Sequence, residues 1–123
     1  MASYTAGPNF LQGFTQIVPI IVGAQIADLS AVNINTIATV ATPASGKKLQ
    51  LIGGSISLSA DASVLFEDNS AATANFVYRT PLILAKTAYD FWSGKILSSA
   101  DNVLKATSSA SATITGVLWF ANV

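Results

Sequence analysis

A change of phase inside one apolar strand is the feature that most constrains the fold of this chain. Leu49 and Leu51 are expected to share one face of that strand, because side chains two residues apart point to the same side. After Gly53–Gly54 the alternation resumes out of step, with apolar residues at Ile56 and Leu58. A strand cannot change faces by itself, so the glycine pair predicts a β-bulge or a bend.

The segments around this strand predict an antiparallel all-β domain. Ala60–Ala62 is predicted to turn the chain, so that Ser63–Phe66 returns as the second strand of a hairpin. The rest of the chain contains short apolar segments that bring the total to about seven or eight strands, separated by turn-forming residues. The predicted fold is an antiparallel β-sandwich or jelly roll over residues 31–123.

Residues 1–30 follow a different pattern and predict an extended N-terminal arm. They contain one charged residue, Asp28, and no sustained helical or strand period, and Pro19 interrupts the best candidate strand. Such a segment is expected to lie on a neighbouring subunit or a larger assembly. The alternative is an edge strand of the same domain, with Pro19 at a bulge. The predicted capsid or subunit contacts of the arm are Phe10, Leu11, Phe14, Ile17, Val18, Ile20, Ile21 and Val22.

The composition predicts contacts between protein chains. The chain is 51% apolar and 10% charged, whereas ordinary soluble domains are roughly 25% charged. Its mean hydropathy is +0.54. No apolar run approaches the ~20 residues that a membrane span requires, so no membrane partner is expected. The excess apolar surface is instead expected to be buried against other subunits.

Charge and residue content argue against nucleic-acid binding and catalysis. Six basic and six acidic residues balance, and Lys47–Lys48 is the only adjacent basic pair, whereas phosphate binding needs clustered cations. The chain has no histidine and no cysteine, so the usual general base and the thiolate nucleophile are missing. Glu67 and Asp68 are adjacent and would point to opposite faces of a strand. We expect no enzyme activity and no cofactor.

Oxygen ligands near the predicted loops leave a calcium site as an open alternative. Asp61, Glu67, Asp68 and Asn69 are the candidates, but their spacing matches no EF-hand. Asp and Asn are common in turns because their side chains hydrogen-bond nearby backbone. The turn-forming role is favoured, and no metal site is predicted.

Aromatic residues are the remaining candidates for a binding role. Residues 87–94 predict a loop with an aromatic cluster, and the final strand is expected to place Trp119 and Phe120 on opposite faces. Core packing or a subunit contact is favoured for such residues, and sugar binding by stacking is the alternative. The candidate outward contacts are Tyr89, Phe91, Trp92 and Trp119.

An ordered series of segments between residues 32 and 120 supports a family resemblance. In chain order they are the apolar/Thr segment Asn35–Ala41, the Gly-Lys-Lys loop Ser45–Leu49, and the segments Ile56–Ala60, Ser63–Phe66, Pro81–Leu84 and Ala112–Leu118. In this order they resemble a family of small virion proteins of tailed bacteriophages. The chain departs from that family at residues 86–92, where the family loop is often rich in glycine.

The resemblance implies a structural role and no catalytic residues. It implies a capsid decoration (cement) protein, usually a homotrimer, that binds the major capsid protein at the capsid surface of the virion. The alternative is a tail or head-fibre module that recognises host-surface glycans through Tyr89, Phe91 and Trp92, with Asp90 as a polar partner. A third alternative is a cellular β-sandwich scaffold without a role in a virion.

Overall fold

A computed structural model of the chain describes residues 24–69 and 74–123. These residues form eight strands and no helix. The strands are β1 (Gln25–Asn33), β2 (Ala38–Ala41), β3 (Leu49–Leu58), β4 (Val64–Asn69), β5 (Ala74–Arg79), β6 (Tyr89–Trp92), β7 (Leu104–Ser108) and β8 (Thr113–Asn122). The predicted all-β class is confirmed.

The strands form two antiparallel sheets of four strands each. The first sheet has the order β1-β8-β3-β6, and the second has the order β2-β7-β4-β5. Of the consecutive strands, only β4 and β5 lie in the same sheet. Each of the remaining connections between the described strands passes from one sheet to the other. This arrangement is consistent with a β-sandwich. The jelly-roll connectivity stays a prediction.

Both sheets contribute alternate side chains to one apolar core. Strand β8 shows the alternation that the sequence predicts, since Leu118 and Phe120 are buried while Trp119 between them is half-exposed. Each large apolar side chain that is fully buried contributes about 1.5–3 kcal/mol to folding. The largest fully buried side chains are Phe66, Ile34, Leu49, Leu51, Ile56, Leu58, Leu97, Leu104, Ile114, Leu118 and Val64.

The predicted bulge in β3 is confirmed. Leu51 pairs with Phe120 of β8, but Gly53 pairs with Trp119, so Ile52 is an extra residue on the β3 side. A Cβ atom on Gly53 would overlap a backbone oxygen of β6. The bulge shifts the alternation by one residue, and the glycine allows the neighbouring strand to approach closely.

The predicted hairpin between residues 46 and 68 is wrong. Strand β3 lies between β8 and β6, whereas β4 lies in the opposite sheet between β7 and β5. The connection crosses the edge of the sandwich, where Asp61 Oδ1 accepts a hydrogen bond from Ala85 N (2.8 Å) and Ala62 N donates to Ile83 O (3.1 Å). Each strand has a buried apolar face, and these faces pack across the core instead of side by side.

Two predicted boundaries also change. Residues 25–30, which the sequence analysis assigned to the arm, lie in β1, and Gln25 to Leu29 pair with β8, so these residues belong to the sandwich. Within the predicted loop 87–94, Tyr89–Trp92 forms the edge strand β6, which pairs with β3. Long-range pairing decides both cases, because neither segment has a strong alternation of its own.

Candidate functional site

One row of residues crosses all four strands on the outer face of the first sheet. Ile26 of β1 pairs with Trp119 of β8, Trp119 pairs with Gly53 of β3, and Gly53 pairs with Trp92 of β6. Directly paired residues of antiparallel strands point to the same face. We call these four residues the tryptophan row. It contains both tryptophans of the chain.

The two indole rings of the row stack on each other. Their centroids are 5.8 Å apart and their planes differ by 17°. Trp92 and Trp119 belong to strands that flank β3, and they meet because Gly53 between them has no side chain. Stacking of this kind contributes about 0.5–1.5 kcal/mol beyond the buried area. Gly53, the glycine at the bulge, therefore also allows the two tryptophans to form one apolar surface above it.

The tryptophan row leaves a large apolar surface in contact with solvent. Ile26 is 65% exposed and Trp92 is 58% exposed. Ile96, which is bridged to Gln50 of β3, adds a further side chain that is 45% exposed. Contiguous apolar surface on a folded protein commonly marks a contact with another molecule or segment. This face is the strongest candidate site among the described residues.

A polar row runs beside the tryptophan row on the same face. Asp28, Val117, Ser55 and Asp90 are paired in turn across the four strands. Ser55 Oγ donates a hydrogen bond to Asp90 Oδ1 at 2.6 Å. A carboxylate is thus held two residues along β6 from the exposed indole of Trp92. An aromatic face with a neighbouring carboxylate provides stacking and hydrogen bonding to one ligand.

Phe91 does not take the outward position that the sequence analysis assigned to it. It is 4% exposed and points into the core, because Asp90 and Trp92 occupy the outer face of β6. Its ring stacks on Tyr78 at 4.7 Å and on Phe66 at 5.5 Å between centroids. Phe91 is therefore a core residue.

Tyr89 is half-buried and links the two sheets. Its hydroxyl and the Tyr78 hydroxyl, which belongs to β5 of the second sheet, are hydrogen-bonded at 2.8 Å. The hydrogen bond with Tyr78, together with burial and the nearby phenolic charge, raises the pKa of Tyr89 to about 12. Tyr89 therefore stays neutral over a wide pH range and acts as a contact between β5 and β6. Of the four candidate outward aromatics, only Trp92 and Trp119 lie together on the outer surface.

The carboxylates of Asp68, in β4, and Asp101, in a loop, accept hydrogen bonds from within the fold. Asp68 is 2% exposed and accepts hydrogen bonds from Ser98 N (2.6 Å) and Asn102 Nδ2 (2.8 Å). Asp101 Oδ1 accepts a hydrogen bond from Gly46 N at 2.7 Å. Within residues 24–69 and 74–123, no three His, Cys, Asp or Glu side chains are grouped as metal ligands. Over the same residues, no helix is long and apolar enough to cross a bilayer.

The predicted contacts of the arm lie outside the described residues. This applies to all eight of its candidates, Phe10, Leu11, Phe14, Ile17, Val18, Ile20, Ile21 and Val22. Sequence reasoning selected Trp92 and Trp119 separately and missed that they meet. It also missed Ile26, although the apolar residue next to Gln25 in a weak strand pattern was an available signal.

No protein-family model, curated protein or solved structure matches this chain. The functional argument therefore depends on the residues and the geometry described above.

Proposed function

We propose that this chain is a structural virion protein of a tailed bacteriophage, a capsid decoration (cement) protein. In this proposal it forms a homotrimer on the capsid surface, binds the outer face of the major capsid protein shell and stabilises it. The resemblance of residues 32–120 to small phage virion proteins supports the choice of partner. The exposed apolar side chains of the sandwich support a role in contacts between proteins.

The observation that carries the proposal is the amount of exposed apolar surface. Eight large apolar side chains among the described residues are at least 45% exposed, in a chain that is 10% charged. They lie in more than one place: on the tryptophan row, at Phe76 of β5, and at Leu82 and Leu84 after β5. A subunit that contacts both its own copies and a shell needs more than one apolar contact area.

The fold suits a protein that acts by binding. Two sheets around one core present the exposed side chains on a stiff frame, so little conformational entropy is lost when they are buried. A trimer would present three copies of each contact, and linked weak contacts add to a high overall affinity. Stabilisation of the shell then follows, because a ligand that binds only the assembled state favours that state.

The copy number of the chain in purified particles tests this proposal. Quantitative mass spectrometry against the major capsid protein is expected to give a number comparable with that of the capsid protein. A few copies per particle would place the chain in the tail or a fibre. Absence from particles would refute the virion role.

Binding to undecorated capsids tests the proposed contact surface. The double substitution Leu82→Ser and Leu84→Ser removes two side chains that are 63% and 57% exposed. It is expected to weaken capsid binding, while the exposed control Ser99→Ala leaves binding unchanged. Equal binding by both variants would show that this apolar area does not contact the capsid.

The second candidate function is recognition of a host-surface glycan, as a module of a tail or head fibre. The specific observation in its favour is the exposed Trp92 indole beside the Asp90 carboxylate. A glycan array with Trp92→Ala and Asp90→Ala tests it: both variants should lose a signal that the Ser99→Ala control retains. A wild-type chain with no signal would exclude the array's glycans as ligands.

A further inference from the structure

A cleft lies on the outer face of the second sheet, away from the tryptophan row. It has a volume of about 270 Å³ and is lined by Ser63, Leu65, Arg79, Thr107, Ser108 and Ser109. We call it the arginine cleft. Pockets for organic ligands begin at about 300 Å³, so the arginine cleft has room for a small molecule only.

Strand register places the main lining residues side by side. Leu65 of β4 pairs with Arg79 of β5 on one side and with Thr107 of β7 on the other. Directly paired residues point to the same face of a sheet. Their neighbours Phe66 and Ala106 are buried in the core, so this row of three lies on the outer face.

Two serines close one end of the cleft. Ser109 N donates to Ser63 O, and Ser63 N donates to Ser109 Oγ, both at 2.9 Å. Because Ser109 Oγ accepts in this pair, its own hydrogen is available to a ligand. Ser108 Oγ differs, since it donates to backbone oxygens of the fold. The serines at 63 and 109 therefore add hydroxyl groups to the row.

The cleft collects hydrogen-bond donors that have no acceptor in the fold. Arg79 is the only arginine of the chain. Within residues 24–69 and 74–123, its guanidinium makes no hydrogen bond or ion pair, and the hydroxyls of Ser63 and Thr107 make no hydrogen bond. A guanidinium has five N–H donors and no acceptor. The arginine cleft thus offers donors from three strands or strand ends to one small volume.

The charge of this face also favours an anion. Glu67 of β4 is directly paired with Lys105 of β7, and opposite charges in such pairs offset each other. This pairing leaves the positive charge of Arg79 without a counterpart on these strands. No Asp or Glu lines the cleft, so an approaching anion meets attraction without a competing carboxylate.

The parts of the cleft match the chemistry of an oxyanion. The planar guanidinium fork donates two parallel hydrogen bonds to a carboxylate, phosphate or sulfate group. Hydroxyl donors across the cleft can reach the remaining oxygens. Leu65, between the arginine and the hydroxyls, provides an apolar contact for the carbon atoms of the ligand. A cation would be repelled, and a neutral ligand would leave the guanidinium unpaired.

We infer that the arginine cleft binds the oxyanion group of a small molecule, with Arg79 as the charged partner and the hydroxyls as further donors. The cleft includes none of the exposed apolar side chains that support the proposed function. The inference goes beyond the proposed function and does not depend on it.

An NMR titration of the ¹⁵N-labelled full chain tests the inference. Sodium acetate, phosphate and sulfate are added in separate arms, with sodium chloride holding the ionic strength constant. Saturable shifts are expected for the amides of the arginine cleft. A stronger response to acetate would assign a carboxylate ligand, and a stronger response to phosphate or sulfate a tetrahedral oxyanion. No saturable shift at the cleft in any arm, at tens of millimolar, would overturn the inference.

Arginine and lysine variants separate the cleft from general attraction of anions. Arg79→Gln is expected to weaken binding about tenfold or more, since it removes a charged hydrogen-bond donor. Arg79→Lys keeps the charge but loses the fork, so its affinity should lie between those of the wild-type chain and Arg79→Gln. The control Lys105→Gln removes a charge from the same face outside the cleft and should bind as the wild-type chain does. Equal weakening by Lys105→Gln and Arg79→Gln would refute a specific site.

A hydroxyl variant tests the second side of the cleft. Thr107→Val keeps the shape of the side chain and should weaken binding about two- to tenfold by removing one hydroxyl. The matched control is Thr39→Val, because Thr39 pairs with Lys105 on the same face but does not line the cleft. The same spectra show whether each variant keeps the fold. Wild-type affinity in both folded variants, Thr107→Val and Arg79→Gln, would overturn the inference.

Discussion

Replacing Gly116 by alanine should destabilise the sandwich strongly, because two separate costs fall on one residue. Gly116 lies in β8, the strand with β1 on one side and β3 on the other, and its φ is +137°. A Cβ atom there would overlap the backbone oxygen of Ser55 and lie 2.9 Å from Ile56 Cα, both in β3. The neighbouring atoms are backbone, so no side-chain rotation can relieve the overlap.

The expected loss follows from adding the two costs. A non-glycine residue in this backbone region costs roughly 1–3 kcal/mol. Forcing two packed strands apart costs about 1–3 kcal/mol, as overpacking does. A combined loss of about 4 kcal/mol in the free energy of unfolding would lower the Tm by roughly 15–30 °C for a domain of this size.

Gly94→Ala is the matched control. Gly94 also has a positive φ, +109°, but a Cβ atom there would have no neighbour within 4 Å. It should therefore show the backbone cost alone, about 1–3 kcal/mol. Urea unfolding followed by far-ultraviolet circular dichroism measures both variants. If Gly116→Ala loses no more stability than Gly94→Ala, the close contact between β8 and β3 does not constrain this position, and the reasoning fails.

Two other side chains give predictions that can be checked on the same material. Asp68→Ala should lose about 1–3 kcal/mol of stability in urea unfolding, because it leaves the Ser98 N–H without its acceptor and removes one of the two acceptors of Asn102 Nδ2; a neutral result would contradict this. The pKa of Tyr89 is raised to about 12, so the free energy of unfolding should be unaffected by this group below about pH 10 and should fall as the pH rises from there towards 12. Tyr78→Phe should lower the pKa of Tyr89 in an ultraviolet phenol titration, and an unchanged value would show that the hydroxyl pair does not cause the shift.

Local alternation in the sequence was enough to predict the all-β class, the buried and outer faces of β8, and the bulge in β3. These features depend on neighbours along the chain: Leu118 and Phe120 point inward because they are two residues apart, and Gly53–Gly54 interrupts the period where β3 gains a residue. Side-chain direction repeats every two residues in any strand, so it can be predicted without knowing the partner strand.

Strand pairing was decided by the tertiary structure. The alternation in β3 and β4 is the same whether the two strands pair in one sheet or face each other across the core, so alternation cannot distinguish the two arrangements. The structure has the second arrangement, and the hairpin prediction was wrong. For the same reason the aromatic segment at residues 89–92 was predicted as a loop, and Phe91 was predicted to point outward. Its burial depends on the pairing of β6 with β3, which the segment alone does not encode.

The candidate site shows the same division. The sequence by itself determined that the chain has two tryptophans, a glycine pair and an excess of apolar residues. Trp92 and Trp119 are 27 residues apart in the sequence. Only the tertiary structure placed them on either side of Gly53, in the two strands that flank β3. The physical reason is that side-chain alternation is set by the local backbone, whereas a surface that crosses four strands is set by their register.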